Sequence, residues 1–91
     1  MKGKTQSGFK FEIKDEVMND MELLEAVAET QSGDDLKVMS ALSLIITKLL
    51  GKDKKKELYD HVRTKDGRVP IDALNKEVLD IFSAKQEGKN S

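Results

Sequence analysis

The side chains that could carry chemistry are few, and nothing in the sequence brings them together. The chain has one histidine, three phenylalanines, no cysteine and no tryptophan. His61 stands among Asp60 and Arg63 in a strongly charged segment. It reads as a surface histidine, because general-base catalysis needs a nucleophile and an orienting group beside the imidazole. No serine occupies the glycine-flanked setting of a nucleophile elbow. A zinc centre draws on clusters of Cys and His that the chain lacks. The stretch "TKDGRVPIDALNKE" has a calcium-loop look, with Gly67 at the sixth loop position. That register puts Val62 first and Ala73 twelfth, where an Asp and a Glu must ligate, so it fails at both. "KDKKK" at 52–56 offers four lysines to phosphates but is broken by Asp53, and no aromatic lies nearer than Tyr59. Nucleic-acid binding rests on several bases acting together, with interleaved aromatics for single strands. The run therefore reads as the solvated start of a helix. No catalytic residue, metal or cofactor is expected, and no nucleic acid as partner.

The apolar pattern is more informative. Residues 1–7, "MKGKTQS", show no periodicity and are expected to be flexible. "FKFEIK" then alternates, with Phe9, Phe11 and Ile13 on one side and Lys10, Glu12 and Lys14 on the other, which predicts a half-buried strand over about 9–14. No second strand is legible, so this one is expected to pair with another copy or another protein. A first helix follows from about Asn19 to Thr30, with Val17, Met21, Leu24 and Ala28 on one stripe, joined by Val27. Gly33 stops it. Asp34 or Asp35 caps a second helix that runs to about Leu50. Leu36, Met39, Leu42, Ile46 and Leu49 form its main stripe, and Val38, Ala41, Leu44, Ile45 and Leu50 widen it. A helix apolar over most of its circumference is covered on several sides. A third, highly charged helix spans about 53–64 and offers only Leu58, Tyr59 and Val62. After the turn at "DGR", a fourth runs from about Ile71 to Ala84, with Ile71, Leu74, Val78, Ile81 and Phe82 inward, and residues 85–91 form a polar, flexible tail. The expected fold is mainly α, a small four-helix domain over 8–84 with a short N-terminal strand.

Length and charge bound what such a domain does. With 91 residues the chain forms one thin-cored domain. Residues 11–35 carry nine acids against one lysine, a net −8, whereas residues 36–68 carry nine bases against four acids, a net +5. A chain polarised in this way attracts copies of itself or a polarised partner. No apolar run reaches the roughly 18–20 residues of a membrane span. The lysines at the start are followed by no apolar stretch, so no signal peptide is expected. Together with the absence of cysteine this points to a reducing cytosol. The second helix carries more apolar side chains than the narrow stripes of the other three can cover, and exposed apolar surface of that kind marks an interaction site.

The order of elements resembles one known family. A short Phe-containing strand, the acidic helix "NDMELLEAVAE", and an apolar helix closing in "LLGKDKKKELYDHVRTKDGRVPIDALNKEVLDIF" are similar to the small tail assembly chaperones of long-tailed phages and prophages, over about residues 8–91. The resemblance rests on order and spacing, and Met21 stands where relatives often carry an aromatic. It implies a helical, oligomer-forming protein that coats the tape measure protein, keeps it soluble, recruits tail tube subunits and is absent from the finished virion. It also implies a ribosomal frameshift near "GK" at Gly88 and Lys89. A chaperone of an apolar rod needs an apolar face of its own. That contact is expected on Leu42, Ile45, Ile46 and Leu49, with Phe9 and Phe11 as a strand-addition edge between copies, so that Ile45→Asp abolishes partner binding. The competing readings are a structural head–tail virion protein and a small prophage nucleic-acid-binding regulator.

Overall fold

The structure, a computed structural model, describes residues 1–88. It opens with two short strands, β1 (Lys2–Lys4) and β2 (Lys10–Glu12), then a 3-10 turn at Asp15–Met18. Four helices follow: α1 (Met21–Glu29), α2 (Asp35–Leu50), α3 (Lys52–Val62) and α4 (Ile71–Gly88). The fold is mainly helical, as the apolar periods require, and the N-terminus corrects the expectation. The strand pairs within its own chain. β1 and β2 are antiparallel, with Gly3 opposite Phe11. The pairing is closed by Met1, whose amino group donates to the Ile13 carbonyl at 2.7 Å while the Ile13 N–H donates back at 2.8 Å. Residues 1–7 are therefore ordered. The sequence conceals this because "KGK" contributes backbone, not alternating side chains. The turn is local: the Gly8 N–H donates to the Thr5 carbonyl, and Gly8 takes a φ of 96° that favours glycine.

Two aspartates start the first two helices. The Asp20 carboxylate accepts from the N–H groups of Glu22 and Leu23, and that of Asp34 from Leu36 and Lys37, satisfying donors that have no partner inside the helix. Gly51, with φ 84°, alone separates α2 from α3. α4 continues past Ala84 to Gly88, so the expected tail is helical for four residues, and 89–91, including the Lys89 of the frameshift reading, lie outside the described residues.

α1 and α2 run antiparallel, which brings Lys48 near the end of α2 to Asp20 and Glu22 at the start of α1. The α1 stripe also corrects the expectation. Leu23 and Ala26 are buried, with Val27 beside them, whereas Met21, Leu24 and Ala28 are exposed. Both sets follow helical spacing; packing against α2 selects one of them. In α4, Leu74, Val78 and Ile81 face inward as expected, but Ile71 is half-exposed and the buried set includes Glu77. The core joins Phe9, Phe11 and Ile13 of the hairpin to the inward faces of all four helices.

Gly3 marks how closely the hairpin sits on this core. A methyl group there would lie 2.7 Å from the tip of the buried Phe11 ring. Gly3→Ala is expected to destabilise the domain by about 1–3 kcal/mol, read as a lower urea midpoint at unchanged slope.

Candidate functional site: apolar grooves on the flanks of helix α2

All six residues expected to meet a partner lie in the core. Phe9, Phe11, Leu42, Ile45, Ile46 and Leu49 are each 6% exposed or less. The expected contact face is thus the face that this chain's own hairpin and helices cover, and Ile45→Asp would disrupt the fold before it tested any partner. The reason is physical: the stripe with the densest branched aliphatics is the one that repays burial most.

The apolar surplus is real but sits elsewhere. Leu36 is 76% exposed, Met21 70%, Ile71 52%, Leu24 46% and Leu44 41%. Two depressions on opposite flanks of α2 take in Leu44 and Ile71, whereas Met21, Leu24 and Leu36 lie outside both. Between α1 and α2 runs a groove of about 330 Å³, floored by Ala26 and Ala41. Glu22, Glu25 and Glu29 make one wall, and Leu44 with Ser40 and Lys37 the other. On the far flank, a cleft of about 200 Å³ opens where α2 meets α3 and the start of α4. Met39, Tyr59, Val69 and Ile71 surround it over Leu42 and Leu74, so it is almost wholly apolar.

Charge is arranged around both. Lys48 closes the end of α1 next to Asp20 (3.1 Å) and Glu22 (2.8 Å). The hydrogen bonds to Glu22 and then Asp20 raise the Lys48 pKa, and the bond from Lys48, helped by the backbone N–H groups of Leu23 and Glu22, lowers that of Asp20. At the far cleft, the Lys55 ammonium donates to the Ser43 hydroxyl (2.6 Å), the Thr47 hydroxyl (3.1 Å) and the Ser43 carbonyl (3.3 Å), and stands over the Tyr59 ring.

One polar cluster has no counterpart in the sequence reading. Glu77, 3% exposed, accepts from the Thr5 hydroxyl (2.8 Å) and the Ser7 hydroxyl (2.8 and 2.9 Å). The Ser7 oxygen also lies 2.9 Å from Nε2 of His61, whose ring sits against Phe9. A serine beside a histidine invites a catalytic reading, but the bonding order is wrong for one. The carboxylate bonds the hydroxyl, whereas in a relay it orients the imidazole. Ser7 has one proton, and with that proton on Glu77 the imidazole donates to the Ser7 oxygen and does not act as its base. The cluster is a latch tying the β1–β2 turn to α3 and α4. No single sequence signal finds it, because its members are 54 and 70 residues apart. Among the described residues no group of three or more metal-ligating side chains gathers, and no helix is long and apolar enough to cross a membrane.

The Asp20–Lys48 pairing makes a pH prediction. A depressed aspartate pKa contributes stability that is complete above its ordinary value of 3.8 and is lost as pH falls through the lower folded value. Asp20→Asn keeps the helix cap but loses the charge. Its deficit against wild type in urea melts is expected at neutral pH and should close in strong acid. Compared with protein-family models, curated proteins and solved structures, the chain matches none.

Proposed function

We propose that this protein is a non-enzymatic tail assembly chaperone of a long-tailed phage, and that it lays a helix of the tape measure protein in the α1–α2 groove. The observation that carries the reading is Leu44, left 41% exposed at the lip of a groove whose floor is alanine. Small floor residues let a third helix approach two antiparallel ones closely, and ridges then fill the groove between them. Leu44 offers under half its surface to such a client, worth about 1 kcal/mol. One chain therefore holds its client weakly, which suits a chaperone that must let go. The glutamates of the opposite wall favour a client segment with basic residues beside its apolar stripe. The 36% content of charged residues keeps the chaperone itself dispersed while it holds an apolar rod. On this reading the protein works in the host cytoplasm, recruits tail tube subunits around the covered rod, and leaves before the virion is complete.

Co-expression with the tape measure protein tests this. Leu44→Asp should reduce the soluble tape measure protein recovered with the chaperone by about tenfold or more. Leu79→Asp, at a more exposed position on α4 outside both depressions, should not. Undiminished recovery with folded Leu44→Asp removes the groove from the argument. Detection of the chain by mass spectrometry in purified virions would favour the structural-protein reading instead.

A further inference from the structure

The hairpin leaves one of its two edges open. The β1 side is occupied: β1 lies against α4, and the Gln6 N–H donates to Asp80 there. β2 has no strand beyond it. Its ladder to β1 fixes which backbone groups point outward. Met1 and Ile13 exchange both bonds, and the Thr5 N–H donates to the Phe9 carbonyl. Antiparallel pairs alternate, so Gly3 and Phe11 form a bonded pair, whereas Lys2–Glu12 and Lys4–Lys10 are non-bonded pairs. The N–H and C=O groups of Lys10 and Glu12 therefore face away from β1, and no described residue bonds to them. Two shallow depressions share Lys10 and Lys54 and together follow β2 from Gly8 to Glu12. That edge is about 16 Å long.

The charge along it is one-sided. Lys2, Lys4 and Lys10 take part in no ion pair among the described residues. Lys4 and Lys10 stand opposite each other in a non-bonded pair, where side chains approach most closely and like charges repel. Glu12 is the only acid in the two strands. Lys54 adds a further ammonium over the Phe9 ring, 3.6 Å from Glu57. Below the lysines, Phe11 and Leu50 line the depression of about 360 Å³ beside Glu12.

We propose that this edge takes an extended acidic segment of a partner protein as a third strand, with acids and apolar residues alternating along it. The chemistry selects that occupant. The edge offers donors and acceptors in alternation, which a peptide backbone matches and a phosphate backbone, having only acceptors, does not. Side chains alternate across a strand, so acids on the outer face meet Lys10 and apolar residues on the inner face meet Leu50. A lysine at a sheet edge ordinarily turns a further strand away; an acidic strand converts that obstacle into a cross-strand ion pair. A second copy is a poor occupant, because it brings its own surplus of lysines to the contact. The edge shares no residue with the α1–α2 groove, so it stands or falls independently of the client reading.

Fluorescence anisotropy with a labelled peptide of about six residues, alternating glutamate and valine, tests it. The peptide should bind, less tightly as salt rises from about 50 mM to about 500 mM. A lysine–valine peptide of the same length should not bind. Lys10→Glu should weaken the glutamate peptide about tenfold or more and favour the lysine peptide instead. Glu12→Pro removes an N–H that β1 does not use and should weaken binding to a similar degree. Loss of the Glu12 charge by itself favours an acidic peptide, so a weaker complex reports the backbone. Circular dichroism checks that each variant is folded. Should Glu12→Pro not fold, amide exchange on the wild type replaces it: the Lys10 and Glu12 N–H groups should exchange more slowly with the peptide bound. Absence of binding at about 1 mM peptide overturns the proposal. So does equal binding of the two peptides, or an unchanged affinity in folded Lys10→Glu. Undiminished binding by folded Glu12→Pro, or unprotected amides, overturns it too, since charge alone would then hold the peptide. Tighter binding of a thymidine oligonucleotide of equal charge also overturns it, the partner then being a nucleic acid.

Discussion

The inward face of α2 is the constraint on which the rest depends. Ala41, Leu42, Ile45, Ile46 and Leu49 are buried within about two and a half turns of one helix, and α1, α3 and α4 each pack against that helix. None of these neighbours is rich enough to cover it alone. α3 contributes a single fully buried side chain, Leu58, and α1 contributes Leu23 and the small Ala26. Phe9, Phe11 and Ile13 complete the cover, which is why the N-terminus is ordered. A hairpin this short is marginal in isolation, but the apolar face it brings to the helices makes it part of the core.

That arrangement places a carboxylate where the interior would otherwise exclude one. A buried charge is costly unless hydrogen bonds replace its water. Glu77 meets that requirement with the hydroxyls of Thr5 and Ser7, and no buried side-chain polar atom among the described residues lacks a partner. The latch therefore ties the turn of the hairpin to α4. It also bears on where open apolar surface lies. With the hairpin and the other three helices around the central stripe of α2, open apolar surface on its flanks lies at Leu44 toward α1 and at Met39 and Ile71 toward the α3–α4 junction. The charges divide along the same line, acids with α1 and lysines with α3. A molecule of this kind presents two unlike faces, one to each side of a single buried helix.

The histidine and two of the α3 lysines are engaged within the fold. The only histidine is held by Ser7 and the Phe9 ring. The lysines of α3 do not form a bare phosphate cradle: Lys54 pairs with Glu57 and stands over Phe9, and Lys55 is bound to α2. His61, Lys54 and Lys55, which in the sequence look available, reach from α3 to the hairpin and to α2.

The sequence by itself determined the helical class, the four helices with an aspartate cap at the start of the second and breaks at glycines, the alternation of Phe9, Phe11 and Ile13, and the split of charge along the chain. These are local properties, set by period, capping and turn chemistry within a few residues. Only the tertiary structure decided which apolar stripe of each helix went inside, because α1 and α2 each carry more than one stripe with acceptable spacing. Burial went to the stripe with the better-fitting neighbours, leaving Met21, Leu24, Leu36 and Leu44 on the surface and taking Leu42, Ile45, Ile46 and Leu49 into the core. Tertiary structure also decided the pairing of β1 and the Glu77 latch. Each joins residues far apart in the chain through backbone or hydroxyl groups, and such groups leave no periodic mark on a sequence.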